Sequence, residues 1–204
     1  MNRHARAIGL RAALAWVAAS ACAGCGLEKA YPQKDTFVVD AGKAPAVART
    51  REEILRVEGV RVAPPFDERS LVFRTGDVTM KADYYNVFAA SPQDLLTGEL
   101  VRLLGDSKAF AKVLEPGSTA TTNLRLECMI TDFYADVTVA EDRKAVCRAQ
   151  FRLLTDGGGR TDVAGDWTVE GSAPMDADTG AAAAKALGEA FGECVEKFVG
   201  GAAR

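Results

Sequence analysis

The chain has 204 residues, of which 48% are hydrophobic and 26% are charged, and its formal net charge is −3. This acidic balance argues against a nucleic-acid partner, because proteins that bind nucleic acid present clustered Lys and Arg side chains. The only histidine is His4, so a chain that has lost its amino-terminal segment cannot build a Ser-His-Asp triad, a Cys-His pair or a histidine metal site.

The first 24 residues have the pattern of a secretory signal peptide. Three arginines precede an alanine-rich run over 12–21 that is too short to span a bilayer comfortably, and small residues follow it. The pair Ala23-Gly24 directly before Cys25 resembles a bacterial lipobox, in which the cysteine sulfur is acylated by palmitate or a similar chain. We therefore predict cleavage before Cys25 and lipid attachment at Cys25. Cys22 is a rival site, and an ordinary cleaved signal with incidental cysteines is a further alternative.

Cleavage before Cys25 leaves 180 residues, and the loss of three arginines leaves a side-chain charge of about −6. This length suits one domain. We predict an acylated cysteine with a spacer over 25–35 and a single domain over 36–200. No later segment approaches the roughly 18 apolar residues of a transmembrane helix, so we expect the acyl chains alone to hold the protein on the membrane.

The first half of the predicted domain consists of short strands followed by one helix. Apolar runs predict strands over 36–40 and 54–62 and a hairpin with arms at 71–74 and 78–81. Ser91 is a good N-cap and Pro92 suits the first helical position, so a helix should begin there and end near residue 105. Its buried stripe is formed by Leu96, Leu100, Leu103 and Leu104.

The second half is predicted to be mainly strand, closed by a second helix. The predicted elements are strands over 110–114, 123–134, 144–155 and 161–172, a turn over 156–159, and a helix from Asp176 or Asp178 to about Val199. This order favours an α+β fold. We expect a single two-layer sandwich in which a mostly antiparallel sheet is packed by two main helices.

Three cysteines follow Cys25 in the predicted domain, namely Cys128, Cys147 and Cys194. The alternation of apolar and polar residues places Cys128 and Cys147 on the apolar faces of two predicted strands. If these strands form a hairpin, the two cysteines could lie close enough for a disulfide, which an exported protein permits. The alternative is three buried free thiols that act as small apolar residues.

Two further polar clusters do not match a known phosphate-binding or metal-binding motif. The loop Asp156-Gly157-Gly158-Gly159 lacks the Lys-Ser/Thr of a P-loop and reads as a hairpin turn. Four acidic residues around another predicted turn miss the alternate-residue spacing of a calcium loop; they are Asp132, Asp136, Glu141 and Asp142. We therefore predict no catalytic residue, no metal site and no cofactor, and we expect the protein not to be an enzyme.

The aromatic segment Tyr84-Tyr85-Asn86-Val87-Phe88 links the predicted hairpin to the first helix. One interpretation is that Tyr84 or Tyr85, together with Phe88, covers the core. The functional alternative is a partner-contact patch formed by Tyr84, Tyr85 and Phe88, because exposed aromatic side chains are enriched at interfaces.

Several short motifs in order resemble the ABC-type transport auxiliary lipoproteins. These motifs are Tyr31-Pro32-Gln33-Lys34, Phe37-Val38-Val39-Asp40, Val62-Ala63-Pro64-Pro65-Phe66-Asp67, Ser70-Leu71-Val72-Phe73-Arg74, Asp83-Tyr84-Tyr85-Asn86-Val87-Phe88, and Pro92 with Leu95-Leu96 and Phe110. The resemblance implies a non-catalytic protein that accompanies a transporter made of an ATPase, a permease and a mammalian-cell-entry (MCE) domain protein. Such a transporter moves lipids between membranes.

The resemblance also implies a location. Gly26 follows the lipid cysteine where an aspartate would favour inner-membrane retention, so we expect an outer-membrane anchor with the domain facing the periplasm. We expect the MCE-domain protein as the partner. Whether the lipoprotein also forms a homo-oligomer is left open by the sequence. The alternative function is an outer-membrane assembly lipoprotein that binds a β-barrel or a lipopolysaccharide export machine.

Overall fold

The described part of the chain comprises residues 33–47, 49–122 and 124–202 of a computed structural model. The predicted signal peptide, Cys25 and the spacer as far as residue 32 lie outside these residues. From Lys34 onward the chain forms one compact unit. None of the helices in the described ranges combines the length and the apolar character that crossing a membrane requires.

Local sequence signals set the helix starts. The Ser91 Oγ accepts the Asp94 N–H at 3.2 Å and Pro92 is the first helical residue, so the predicted start is confirmed. The second helix begins later than predicted because the Thr179 hydroxyl accepts the Ala182 N–H at 3.2 Å. The elements are β1 (Asp35–Phe37), β2 (Arg51–Val62), β3 (Ser70–Gly76), β4 (Thr79–Phe88), α1 (Pro92–Ser107), β5 (Phe110–Leu114), β6 (Leu124–Asp136), β7 (Lys144–Gly157), β8 (Arg160–Pro174) and α2 (Gly180–Ala202).

The eight strands form one mixed sheet, so the prediction of a mostly antiparallel sheet is wrong. The pairings β1–β4, β2–β5, β2–β6 and β3–β6 are parallel. Only β3–β4, β6–β7 and β7–β8 are antiparallel, and these are sequence neighbours joined by short connections. The parallel partners are separated by long stretches of chain, which is what a parallel connection needs. Sequence neighbours alone could not reveal these pairings.

Both helices bury apolar stripes, as a single α+β domain with two main helices requires. The predicted α1 stripe of Leu96, Leu100, Leu103 and Leu104 is fully buried. On α2, Phe198 stacks on Phe151 of β7 with ring centroids 4.6 Å apart. Trp167 of β8 meets the Phe198 ring edge-on, with centroids 5.3 Å apart. The helix therefore packs on the long strands β7 and β8.

The first strand ends at Phe37, so the predicted extension to Asp40 is wrong. Residues 38–42, here called the arm, leave the sheet and run to the two helices. The Ala41 N–H donates to Glu99 of α1 at 2.9 Å instead of to a strand. A Cβ at Gly188 of α2 would lie 2.2 Å from the Asp40 carbonyl oxygen. The arm thus replaces strand pairing with contacts to both helices, and its close approach to α2 requires the glycine at position 188.

Cys128 and Cys147 do not form the disulfide that the sequence left open; the alternative of three buried free thiols describes the structure. Cys128 lies opposite Phe151 and Cys147 opposite Phe133, so the two cysteines are four residues apart along the ladder. That offset is about 13 Å, well beyond the reach of a disulfide. Cys128, Cys147 and Cys194 are free and buried, and the Cys194 thiol donates to the Cys147 carbonyl at 3.3 Å. Burial raises the pKa of the Cys128 and Cys147 thiols.

Candidate functional site

The predicted contact segment lies in the second half of β4, and its three rings are placed differently. Phe88 is 1% exposed and stacks on Phe133 with centroids 5.9 Å apart, so it is a core residue and must be removed from the predicted contact patch. Tyr84 is 67% exposed and Tyr85 is 44% exposed. Their rings meet edge to face at 5.2 Å. The two tyrosines therefore form an exposed aromatic pair.

A bulge in β4 carries this pair out of the sheet. Ser70 of β3 lies opposite Val87, but Val72 lies opposite Ala82. One residue of β3 therefore faces the stretch from Asp83 to Asn86. This stretch, here called the tyrosine bulge, leaves the ladder at that point. Bulges of this kind re-aim side chains and are common beside functional sites.

The carboxylate of Asp83 holds the tyrosine bulge in shape. Asp83 Oδ1 accepts the backbone N–H of Tyr85 at 2.8 Å and that of Asn86 at 3.1 Å. Asp83 Oδ2 accepts the Asn86 side-chain amide at 2.8 Å. The carboxylate thus satisfies two backbone N–H groups of the tyrosine bulge from within the same segment.

Helix α2 supports the same bulge from the other side. Gly180, the first residue of α2, approaches Asn86 so closely that a Cβ would lie 2.1 Å from Asn86 Oδ1. Asn86 is therefore held between Asp83 and the helix start. The position of the tyrosine pair depends on contacts among residues that are about a hundred positions apart in the chain.

An open groove of about 790 Å³ lies beside the tyrosine bulge. Its apolar lining comes from Phe37 of β1, Phe73 of β3 and Val137, which follows β6. The remaining lining residues are Asp35, Thr75, Lys81, Ala82, Asp83, Tyr84, Tyr85, Asn86, Asp178, Thr179, Gly180 and Ala181. The lining of the groove combines apolar, aromatic and charged side chains, which suits binding of a partner.

A cation also contacts the tyrosine pair. The Lys34 ammonium lies 3.9 Å from the centroid of the Tyr84 ring. A cation above the face of an exposed aromatic ring is weakly attracted to it. Lys34 directly precedes β1, so this contact places its ammonium beside a ring that lines the groove.

Sequence reasoning found the tyrosines but missed most of the groove. Phe37, Phe73 and Val137 belong to three separate elements, and no local pattern indicates that they meet. One signal was readable, since an aspartate two residues before a candidate turn position often accepts backbone N–H groups. Asp83 stands in that relation to Tyr85.

The acidic residues considered for a calcium loop are engaged elsewhere. Asp132 pairs with Arg148 at 3.3 Å, Asp136 pairs with Arg74 at 3.4 Å, and Asp142 contacts Lys144. Within the described ranges, no group of three or more His, Cys, Asp or Glu residues is placed to hold a metal ion. Asp132, Asp136 and Asp142 therefore belong to ion pairs, and Glu141 is exposed.

The glycine loop is the β7–β8 turn. Gly158 and Gly159 adopt φ values of 59° and 80°, which explains the glycines. The Arg125 guanidinium lies 2.7 Å from Asp156 and holds the pKa of that carboxyl below its usual value. The loop therefore has a structural role that its sequence predicted.

Comparisons with known proteins identify a family and a fold. The family model of the ABC-type transport auxiliary lipoprotein component matches residues 37–198. No curated protein matches the chain significantly. The chain is similar to a Xanthomonas campestris crystal structure of the DUF330 family, with a TM-score of 0.70 and 20% identity over 81% of this chain and 93% of that one.

A second solved structure, of an uncharacterized protein, is similar with a TM-score of 0.64 and 15% identity over 83% of this chain and 98% of that one. At these identities the two likenesses show the fold, not a shared binding site.

Proposed function

The chain belongs to the family of ABC-type transport auxiliary lipoprotein components, and from that membership we propose that it is a lipid-anchored adaptor of an ABC/MCE-type intermembrane lipid transporter. In this proposal the domain faces the periplasm and docks the MCE-domain protein at the outer membrane. The permease and the ATPase of the same transporter supply transport and energy. The adaptor contributes binding and no catalytic step.

The observation that carries the docking proposal is the tyrosine bulge. Tyr84 and Tyr85 are large, exposed rings in a fixed arrangement, and rigid aromatic anchors dominate the energetics of many interfaces. Asp83 and Gly180 fix the backbone that presents them. A partner that binds here meets a prearranged surface and loses little of its binding free energy to ordering the adaptor.

We further propose that Cys25 carries the lipid. Its place after Ala23-Gly24 supports this assignment, and several acyl chains on one cysteine would anchor the domain firmly. Metabolic labelling with a radioactive fatty acid tests it directly. Loss of label in Cys25→Ser, with label retained in Cys22→Ser, is the expected result; the reverse pattern would move the lipid to Cys22.

A crosslinked pull-down of the tagged, full-length lipoprotein from native membranes tests the transport assignment. We expect an MCE-domain protein to be recovered with its permease and ATPase, and Cys25→Ser to reduce that recovery. Recovery of a β-barrel or a lipopolysaccharide export component without them would contradict the transport assignment. The assembly lipoprotein would then be the better interpretation.

A further inference from the structure

The outer edge of β8 has no strand beside it. Within the described ranges, β8 pairs with β7 alone, along its whole length from Arg160 to Pro174. Fifteen residues make a long edge, and the backbone N–H and C=O groups of an open edge can pair with a strand of another chain. Natural proteins prevent such pairing with bulges, prolines and charged side chains at the edge. This edge of β8 has all three.

A bulge and a proline shorten the regular part of the edge. The register against β7 shifts between Val163 and Gly165, so the ladder is irregular near the start of β8. At its end, Pro174 lies opposite Lys144 and has no N–H group to offer. Between these two points β8 is regular over 165–173, and a stretch of this length is sufficient for another strand to pair with it.

Helix α2 closes the end of this stretch with a carboxylate and an ammonium. Glu193 Oε2 accepts the backbone N–H of Ser172 at 2.7 Å, and the Lys197 ammonium donates to the backbone carbonyl of Glu170 at 2.6 Å. This N–H and this carbonyl are groups that an added strand would bond. Glu193 and Lys197 therefore take the place of a strand at this point, and the two residues are here called the latch.

The two latch residues also hold each other. Glu193 Oε1 lies 2.8 Å from the Lys197 ammonium, one turn along α2. Burial acts to raise the pKa of Glu193, but the hydrogen bonds from Lys197 and Ser172 bring it below its usual value. The hydrogen bond to Glu193 raises the pKa of Lys197. Both latch residues are therefore charged at neutral pH, and hydrogen bonds from charged groups to backbone are strong.

The latch determines how much of the edge is left for pairing. Residues two apart in a regular strand present their backbone groups to the same side. The groups of Asp166 and Thr168 therefore point outward, as those of Glu170 and Ser172 do, because no bulge separates these residues. Of the four, Asp166 and Thr168 keep both backbone groups clear of the latch. Two residues are too few for a stable strand pair.

We propose that the latch prevents the β8 edge of one molecule from pairing with the β8 edge of a second copy. Without the latch, residues 166–172 present four outward-facing residues in a row, and two identical edges can pair antiparallel about a twofold axis. The same segment then supplies donors and acceptors on both sides, so a second copy is the fitting partner. The latch consists of contacts between β8 and α2, and it is independent of which transporter the protein serves.

Photo-crosslinking of the full-length lipoprotein in intact cells tests the latch. A photoreactive amino acid replaces Ser172, whose side chain is exposed, and the latch variant combines Glu193→Ala with Lys197→Ala. The matched control combines Lys185→Ala with Glu189→Ala, which removes another i,i+4 ion pair, at 3.7 Å, from the same helix. We expect the latch variant to raise the amount of two-chain product joined through β8 by about fivefold or more, and the control to leave it unchanged.

A proline distinguishes backbone pairing from other association. Thr168→Pro removes an outward N–H and keeps the hydrogen bonds to β7, because the Thr168 backbone groups point away from β7. Added to the latch variant, it should return the two-chain product to the wild-type amount. An increase that persists with Thr168→Pro, an equal increase in the latch variant and the control, or no increase in the latch variant would overturn edge-to-edge pairing.

Hydrogen exchange checks the contact itself, in dilute full-length protein in detergent micelles. Glu193→Ala should speed exchange of the Ser172 amide by about tenfold or more, whereas Glu189→Ala should not change it. Lys197→Met keeps the apolar stem and loses the donor, so it should give part of the increase in two-chain product with the circular dichroism spectrum of the parent. An unchanged exchange rate at Ser172 in Glu193→Ala would show that Glu193 does not close the edge.

Discussion

Gly180 at the start of α2 lies directly against Asn86 in β4, and a Cβ on residue 180 would fall 2.1 Å from the Asn86 amide oxygen. Asn86 in turn donates to Asp83 at 2.8 Å. Through these contacts the second helix fixes the backbone that presents Tyr84 and Tyr85. Binding at the tyrosine pair should therefore respond to changes in α2 that touch no partner.

Gly180→Ala should destabilise the domain and disturb the tyrosine bulge. The added methyl group must displace Asn86, which costs about 1–3 kcal/mol in a packed site. Urea unfolding measures the loss, and the ring resonances of Tyr84 and Tyr85 report the bulge. Gly98→Ala is the control, because a Cβ at Gly98 meets nothing within 4 Å; it should stabilise α1 by about 0.5–1 kcal/mol. Equal changes in unfolding free energy and in the tyrosine resonances for the two variants would contradict the contact of Gly180 with Asn86.

Gly188→Ala should release the arm. A Cβ there would lie 2.2 Å from the Asp40 carbonyl oxygen, and backbone cannot yield as easily as the end of a side chain. We expect a loss of about 1–3 kcal/mol in the free energy of unfolding, with faster hydrogen exchange at Ala41. The comparison is Gly200→Ala, which has open space around its Cβ. An unchanged exchange rate at Ala41 would show that the arm does not depend on Gly188.

The contact of the arm with α1 should depend on pH. Glu99 accepts the Ala41 N–H at 2.9 Å and pairs with Arg102 at 2.6 Å, and the Arg102 hydrogen bond is the main cause that lowers the pKa of Glu99. A lowered pKa in the folded state stabilises the fold above the unfolded value of about 4.3, and this stabilisation is lost as the pH falls through the folded pKa.

Glu99→Gln tests this pH dependence. The variant should be less stable than the parent at pH 7 by about 1 kcal/mol, because it loses the charge-assisted bond to Arg102. The difference should shrink as the pH falls below about 4. Thermal unfolding of both proteins from pH 7 to pH 3 measures it. A difference that stays constant over that range would assign the effect to packing instead of charge.

The three domain cysteines should react only when the protein unfolds. Cys128, Cys147 and Cys194 are fully buried, and burial disfavours the reactive thiolate of Cys128 and Cys147. Alkylation followed by mass spectrometry, without reduction, should leave all three unmodified in buffer and modify all three in denaturant. A residue pair that resists alkylation in denaturant would show a bridge.

The contrast between α1 and β4 shows what the sequence could predict. The Ser91 cap, Pro92 and the leucine stripe are local signals, and α1 has the predicted start and the predicted buried face. The tyrosine bulge depends on a register shift against β3 and on a helix start far along the chain. The aromatic segment drew attention to Tyr84 and Tyr85 as contact residues. It could not show that Phe88 is a core residue, because Phe88 stacks on Phe133 of the distant strand β6.

The sheet illustrates the same limit. Alternation identified both strands of the β6–β7 hairpin, and their antiparallel pairing followed from the short connection. Alternation carries no information on the parallel pairing of β2 with β5 and β6. The paired strands are separated by long stretches of chain, so no short window of residues contains both partners.

Site-specific photo-crosslinking tests the docking account most directly. A photoreactive amino acid is placed at Tyr84, at the exposed tyrosine pair, or at Val163, a 59% exposed position on β8 that does not line the groove. Irradiation of intact cells should join position 84, and not position 163, to the MCE-domain protein. Equal crosslinking from both positions, or crosslinking of that protein from position 163 alone, would contradict docking at the tyrosine bulge.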